Sequence, residues 1–242
     1  MRHLLLLSLF LAAAGCADSP DAPAVAEAPD LPPPAEAPDD LAALGSPAVE
    51  TPLGDGPVHV HRVTLAPGDS LAPHGGGERV VYALSSLALR LTTDGEVEER
   101  TFAEGGVHRH DAGVHAVANV GEAPAEFLVF ERRGGALPEA AAEGETAVPT
   151  PDEGATDEVV FDDAFAEVHR VTLEPGAQLP PHRGYARAVY SLSGYTVEFT
   201  GPDGTREQRF RAGEAHYHDP GDHTVENAGD TTAEFLVVEF KR

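Results

Sequence analysis

The chain has 242 residues, which is enough for one large domain or for two compact domains of about 100 residues each. Its 25 glycines, 21 prolines and lack of tryptophan are typical of a turn-rich β protein rather than of a helical bundle. The formal net charge of -25 at pH 7 repels phosphate backbones and anionic head groups, which argues against nucleic-acid binding and against electrostatic binding to a membrane surface.

The N-terminus has the pattern of an export signal. A short basic start precedes an apolar run over residues 4–14, which is too short to span a bilayer as a helix. Gly15-Cys16 ends the run, and this arrangement resembles the signal of a bacterial lipoprotein, in which the signal peptide is removed and the cysteine is acylated. Ala13 departs from that pattern, so an ordinary secretory peptide is the alternative. We predict a signal peptide over residues 1–15 and lipidation of Cys16, which would export the protein and anchor it at the cell envelope, on the periplasmic or the outer surface.

An acidic segment follows the signal. Residues 16–50 are rich in Pro, Ala, Asp and Glu and contain neither Lys nor Arg. Such a segment cannot bury enough apolar surface to fold, and its prolines favour an extended chain. We therefore predict a tether that holds the folded part of the protein away from the membrane.

An internal duplication is the strongest feature of the sequence. The sequence Val-His-Arg-Val-Thr-Leu at residues 60–65 recurs at residues 168–173, an offset of 108 residues that many later positions share. A repeat of this length indicates two whole domains rather than a solenoid, whose repeats run about 20–50 residues. We predict domains over residues 51–133 and 159–242, joined by an acidic linker over residues 134–158.

Each copy is predicted to consist of short strands. In the first copy, residues 80–84, 87–91, 115–120 and 126–130 are β-branched, aromatic or alternating, and Pro-Gly or Asp-Gly turn signals separate such runs. About seven short strands in roughly 80 residues can avoid exposed sheet edges by forming a double-sheet jelly roll. The predicted fold class is therefore all-β, with two tandem jelly-roll barrels.

Two groups of residues recur at equivalent places in each copy. The first group is a glycine, a histidine six positions later and a downstream tyrosine; the second is a glycine, a histidine and, four residues on, an asparagine. The members are Gly68, His74, Tyr82, Gly105, His115 and Asn119 in the first copy, and Gly176, His182, Tyr190, Gly213, His223 and Asn227 in the second. These groups resemble the two motifs of the cupin superfamily. The resemblance covers roughly residues 58–133 and 166–242 and implies a tandem bicupin. It implies less about activity, because the fold hosts enzymes, binding modules and storage proteins.

The metal ligands that the resemblance implies are not all present. The superfamily usually takes two histidines and a glutamate from the first motif and one histidine from the second. Here the first motif keeps one histidine in each copy, and Gly76 and Gly184 stand where the other is expected. Arg79 and Arg187 replace the glutamate.

Each copy adds a histidine pair on a predicted strand, His108 with His110 and His216 with His218. Residues at i and i+2 of a strand point to the same face, roughly 6.6 Å apart along the chain. If that face is interior, four imidazoles of each copy could share a divalent Zn, Fe, Ni, Cu or Mn ion, whereas Ca and Mg would not suit them. The candidate metal ligands are His74, His108, His110 and His115 in the first copy, and His182, His216, His218 and His223 in the second. The alternatives are polar pocket-lining histidines without a metal, or histidines with a structural role.

Arg79 and Arg187 are candidate ligand-binding residues. An inward arginine buries a cation that needs a partner, and a bound carboxylate matches its planar fork. The alternative is an internal salt bridge, for instance with Glu78, or an outward-facing arginine. On the opening strand, His61 and His169 each adjoin an arginine, and surface or edge positions are predicted for them.

Three functions remain open from the sequence. The first is an envelope-anchored bicupin that binds a small, anionic molecule in the barrel interior, with or without a histidine-bound metal. The second is a metal-dependent enzyme of the dioxygenase, decarboxylase or isomerase type that the resemblance implies. The third is a non-catalytic module whose barrels pair with each other, or with another chain in a homo-oligomer. No phosphate-binding loop or nucleophile constellation is present in the sequence.

Overall fold

The computed structural model describes residues 37–134, 137 and 150–241, and within them the chain is built almost entirely of antiparallel strands. The predicted signal peptide and Cys16 lie outside the described residues. One 3-10 turn, Ala42–Leu44, precedes the first strand. Among the described residues, no helix has the length and apolar character needed to cross a bilayer.

The first barrel is a jelly roll of two antiparallel sheets with the strand orders β1-β2-β9-β4-β7 and β3-β8-β5-β6. Its strands are β1 (Val49–Leu53), β2 (Val58–Leu65), β3 (Ser70–His74), β4 (Arg79–Ala83), β5 (Leu87–Thr93), β6 (Glu96–Phe102), β7 (Val107–His110), β8 (His115–Asn119) and β9 (Ala125–Arg132).

The second barrel repeats this topology nine strands later, with the orders β10-β11-β18-β13-β16 and β12-β17-β14-β15. Its strands are β10 (Ala155–Asp162), β11 (Ala166–Leu173), β12 (Gln178–Gly184), β13 (Arg187–Ser191), β14 (Tyr195–Gly201), β15 (Gly204–Phe210), β16 (Ala215–His218), β17 (Gly221–Asn227) and β18 (Ala233–Phe240). The predicted fold class, all-β with two tandem jelly-roll barrels, is confirmed.

The central strands of the larger sheets are buried on both faces. All five residues of β4 are buried: Val81 faces the core of the first barrel, whereas Val80 and Tyr82 belong to a core that both barrels share. Val168 and Leu236 of the second barrel lie in that shared core. Strands buried on two faces need apolar residues at consecutive positions, which explains their nearly continuous apolar runs.

Residues 37–48, the described part of the stretch that is predicted to be an extended tether, pack against the first barrel. Leu41 is 4% exposed and packs into the first barrel's core. The backbone amide of Gly75 donates to the carbonyl of Pro38 at 2.7 Å. At the other boundary, β10 begins at Ala155, inside the stretch predicted as a linker. Both segments gain partners from distant parts of the fold, which local composition does not reveal.

Candidate functional site

Each barrel encloses a pocket lined by the histidines and the arginine that the sequence singles out. The cavity measures about 30 Å³ in the first barrel and about 80 Å³ in the second. The first contains His74, Arg79, His108, His110 and His115 together with Leu41 and Glu131. The second contains His182, Arg187, His216, His218 and His223 together with Phe199, Phe210 and Glu239.

Strand pairing brings these side chains together. His182 on β12 lies opposite His223 on β17, with ring centroids 4.1 Å apart, and the equivalent pair of the first barrel, His74 and His115, is 4.5 Å apart. On the facing sheet, β16 pairs with β13 so that His218 lies opposite Arg187. Both members of the i and i+2 histidine pairs therefore point into the pockets.

The imidazoles share a pocket without converging on one point. His108 Nε2 and His110 Nε2 are hydrogen-bonded at 2.7 Å, and in the second barrel the rings of His216 and His218 are 4.9 Å apart. Within the described ranges, the one group of three His, Asp or Glu donors within 4.8 Å of one another lies elsewhere, at Asp40, His59 and His61, and it could hold a metal ion. Metal coordination by the eight pocket histidines remains a prediction.

Burial and the neighbouring arginines keep most of these histidines neutral. Burial, followed by the charge of Arg187, lowers the pKa of His218 to about 2 and that of His223 to about 3. Burial, followed by the charge of Arg79, lowers the pKa of His115 to about 2. Burial also lowers the pKa of His108 to about 3. At neutral pH each ring therefore offers one N–H donor and one lone pair.

The two arginines are buried in the pockets and face inward. Arg79 and Arg187 are each 4% exposed. Arg187 Nη1 donates to the carbonyl of Tyr185 at 3.1 Å and Nη2 donates to His223 Nε2 at 3.2 Å; Arg79 Nη2 donates to His115 Nδ1 at 2.5 Å. Across the described part of the chain, no carboxylate oxygen lies within 4.0 Å of either guanidinium.

The salt bridge between Arg79 and Glu78 that the sequence left open does not form. Glu78 binds Arg109 at 2.5 Å instead, beside Asp163 of the second barrel. The carboxylate opposite Arg79 in the sheet is Glu131, which is 1% exposed and accepts from the Gly77 amide at 2.7 Å. Sequence reasoning missed Glu131 because its preceding residues are an apolar run that gives no sign of a polar pocket.

Glycine at the place of the expected second histidine leaves room for the arginine. A Cβ built on Gly76 would collide with Arg79 Nη1, and a Cβ on Gly184 would collide with Arg187 Nη1. The guanidinium thus fills the space of the missing side chain. The two departures from the motif, glycine and arginine, are one structural change made in both copies.

His61 and His169 are interior residues, and the surface or edge positions predicted for them are wrong. His61 is 0% exposed and His169 is 6% exposed, because the neighbouring arginine takes the outward direction in each strand. The apolar residues two and four positions on, Val63 and Leu65, are buried on the same strand and could have signalled this. Burial would lower the pKa of His169, but Asp157, at 2.7 Å from its Nδ1, raises it.

An additional aromatic ring and a larger open volume distinguish the second pocket. Phe210 stacks on His216 at 4.3 Å, as Phe102 stacks on His108 at 4.2 Å in the first barrel, but Phe199, which stacks on His218 at 5.2 Å, has Leu91 as its counterpart. In the first barrel, Leu41 enters the pocket from the N-terminal segment, which accounts for the smaller cavity there. The second pocket is the better place for a ligand.

Comparison with known proteins identifies the second barrel by sequence and both barrels by fold. The sequence pattern of the cupin domain family matches residues 169–239. A variant of oxalate decarboxylase from Bacillus subtilis is 18% identical over 80% of this chain and 75% of its own, with a TM-score of 0.59. AerE from Microcystis aeruginosa is 16% identical over 80% of this chain and 92% of its own, with a TM-score of 0.55. The Bacillus enzyme contains Mn(II) centres. No curated protein matches the sequence.

Proposed function

We propose that this chain, whose second barrel matches the cupin domain family and whose fold resembles that of two-barrel cupins, binds a small carboxylate in the interior of its second barrel. The ligand would be held directly by the buried arginine, with the pocket histidines supplying further polar contacts. The claim concerns binding, because the fold hosts both enzymes and binding proteins.

Arg187 is the observation that carries this proposal. A buried guanidinium without a carboxylate in contact is costly, because its desolvation is offset only by hydrogen bonds to carbonyls and to one neutral imidazole and by the more distant charge of Glu239. Arg187 lines the larger cavity. Glu239 lies opposite Arg187 in the sheet, but its carboxylate accepts a hydrogen bond from the backbone amide of Tyr185 at 3.3 Å. A small carboxylate would supply the missing charge and match the planar fork of N–H donors.

The other polar groups suit a carboxylate that also carries a hydroxyl group. His182 Nδ1 donates to the carbonyl of Pro180 at 2.8 Å, which leaves the lone pair of its Nε2 as an acceptor in the pocket. His216 Nδ1 is buried without a hydrogen-bond partner. Phe199 and Phe210 form an apolar wall against the carbon atoms of a ligand.

A metal ion fits this pocket poorly, so binding through a metal has less support. The lone pair of His223 Nε2 accepts from Arg187, and that of His115 Nδ1 accepts from Arg79. In each barrel, a ring nitrogen of the second-motif histidine therefore already accepts a hydrogen bond from a guanidinium cation and is not free to bind a metal ion. An arginine replaces the carboxylate ligand of the superfamily, and a positive charge there repels a divalent ion. The fold likeness to a Mn(II) enzyme does not carry an activity across 18% identity.

The location completes the proposal. The signal pattern that ends at Cys16 supports export and lipid anchoring, so the barrels would meet their ligand at the cell envelope. Mass spectrometry of the membrane fraction should find an acylated N-terminal cysteine, and Cys16→Ser should release the protein into the soluble fraction. Wild-type protein that stays unacylated and soluble would contradict this part.

Calorimetric titration of the metal-free full chain tests the binding proposal. We expect glycolate, which adds a hydroxyl group, to bind more tightly than acetate, and either ligand to raise the melting temperature. Arg187→Gln should weaken binding at least about tenfold, since a charge-assisted bidentate pair is lost. Arg187→Lys keeps the positive charge but loses the planar pair of N–H donors, so its affinity for the carboxylate should lie between those of the wild-type protein and Arg187→Gln. The matched control is Arg206→Gln, an exposed arginine over Phe199 at 4.8 Å.

Two results would refute the binding proposal. One is the absence of any thermal or calorimetric response to a panel of small carboxylates. The other is unchanged affinity in Arg187→Gln, or an equal loss in Arg206→Gln, which would place the anion on the surface.

A further inference from the structure

A second group of donors lies in the first barrel, away from the pocket just described in the second. Asp40 belongs to the N-terminal segment, and His59 and His61 lie on β2. His59 Nδ1 is 3.2 Å from Asp40 Oδ2, and His61 Nε2 is 3.7 Å from Asp40 Oδ1. The three side chains offer one donor each within 4.8 Å of one another.

His61 has the orientation of a metal ligand. It is fully buried, and its Nδ1 is 3.0 Å from the hydroxyl of Thr51. If Nδ1 carries the proton and donates to Thr51, Nε2 presents its lone pair to the acidic group. Nε2 has no hydrogen-bond partner among the described residues. Metal-binding histidines are typically fixed in this way, by a hydrogen bond from the ring nitrogen that does not bind the ion.

A further carboxylate lies beside His61, just outside the group of three. Glu131 Oε2 is 3.9 Å from His61 Nε2, whereas Oε1 of the same carboxylate is held by the Gly77 amide and by Arg133, each at 2.7 Å. Ligands at about 2.1 Å from one tetrahedral ion are roughly 3.4 Å apart. The spacings of 3.2, 3.7 and 3.9 Å lie close to that value and are mostly too long for hydrogen bonds.

The second barrel shows the alternative arrangement. Glu167 stands at the place of His59, and His169 stands at the place of His61. Asp157 lies 2.7 Å from His169 Nδ1 and Glu167 lies 3.1 Å from Nε2. Carboxylates on opposite edges of one ring hold an imidazolium and do not converge on a common point. The convergent arrangement therefore belongs to the first barrel and depends on Asp40 from the N-terminal segment.

We propose that the first barrel binds one divalent transition-metal ion through His59 Nδ1, His61 Nε2 and the carboxylates of Asp40 and Glu131. Two imidazoles with carboxylates suit Zn²⁺, Co²⁺, Mn²⁺ or Fe²⁺ better than Ca²⁺ or Mg²⁺. Arg133 bridges both carboxylates from outside, at 2.7 Å from Glu131 and 3.6 Å from Asp40, and reduces their repulsion. The ion joins the N-terminal segment to β2, so it also fastens that segment over the first barrel.

Metal titration of the full chain, produced without a histidine tag and freed of metal, tests this proposal. We expect one Zn²⁺ or Co²⁺ per chain, with a Co²⁺ absorption spectrum of low coordination number. Asp40→Asn and His59→Gln should each weaken binding by at least about tenfold. Both residues are partly exposed, so these variants should fold. The matched control is His108→Gln, which removes an imidazole from the interior pocket of the same barrel.

Limited proteolysis supplies a readout that does not depend on affinity. Zn²⁺ should protect the segment around residues 37–44 in the wild-type chain, and it should not do so in Asp40→Asn. Failure to bind either ion, or equal binding by wild type and both ligand variants, would overturn the proposal. Loss of binding in His108→Gln alone would place the ion in the interior pocket instead. None of these outcomes bears on carboxylate binding at Arg187, which is tested separately.

Discussion

At the scale of single residues, two linked departures from the cupin motif shape both pockets, and the sequence alone does not explain why they occur together. Arginine replaces glutamate and glycine replaces histidine in both copies, and the structure shows why they occur together: the guanidinium at Arg79 or Arg187 occupies the space where a Cβ at Gly76 or Gly184 would lie. The sequence could identify all four positions. It could not place the guanidinium, because that depends on the register of β4 and β13 against β9 and β18.

The neutral histidines predict an acid-sensitive fold. The pKa of a histidine is 6.5 in the unfolded chain, whereas burial and then nearby positive charges hold it at about 4 for His110 and His216 and at about 2 to 3 for His108, His115, His218 and His223. Below pH 6.5 the unfolded chain takes up protons that the folded chain excludes, so stability falls as the pH falls. Each such group contributes up to about 1.4 kcal/mol per pH unit.

Urea denaturation of the metal-free protein between pH 6.5 and pH 5 measures this slope, in a range above the titration of ordinary carboxylates. His218→Gln should lower the number of protons taken up on unfolding by about one, and so reduce the slope relative to the wild-type chain. Stability that stays constant or rises on acidification would contradict the predicted protonation states.

At the scale of elements, the strands were predictable where alternation or continuous apolar runs reveal them, and the segments at the domain boundaries were not. The acidic, proline-rich composition before β1 predicts an extended chain. The structure nevertheless packs Leu41 into the first barrel and sets Asp40 beside His59. Those contacts join residues about twenty positions apart across a turn and a strand, and no local pattern encodes them.

Leu41 predicts a difference between the barrels that a single substitution can test. Leu41→Ala removes a side chain that is 4% exposed and should destabilise the first barrel by about 2 kcal/mol, at the lower end for buried leucine, while enlarging its pocket. Leu44→Ala, which truncates a partly buried neighbour, should cost less. Chemical denaturation compares the two variants, and equal or negligible losses would show that Leu41 does not fill the pocket.

At the scale of the whole molecule, the two barrels share a core. Val80, Tyr82 and Phe130 of the first barrel contact Val168 and Leu236 of the second in one buried cluster. The contacts between the barrels are also symmetric: β1 of the first barrel lies beside β16 of the second, and β10 of the second barrel lies beside β7 of the first. The duplication predicted two domains, but it could not show that the outward apolar face of each central strand packs against the other copy.

The shared core predicts that the barrels unfold together. Calorimetry should give one transition, with the calorimetric enthalpy close to the van't Hoff value. Phe130→Ala, at a site that is 0% exposed, should cost about 3–5 kcal/mol and lower that single transition. Two well-separated transitions in the wild-type chain, or loss of the first barrel alone in the variant, would show that the barrels are independent.

The most direct test of the account is a crystal structure of the full chain with the carboxylate that gives the largest thermal shift. Both oxygens of the carboxylate are predicted to lie within hydrogen-bond distance of the Arg187 guanidinium, inside the second barrel. A ligand bound outside that pocket, or a metal ion on His216, His218 and His223 with Arg187 turned away, would contradict the account.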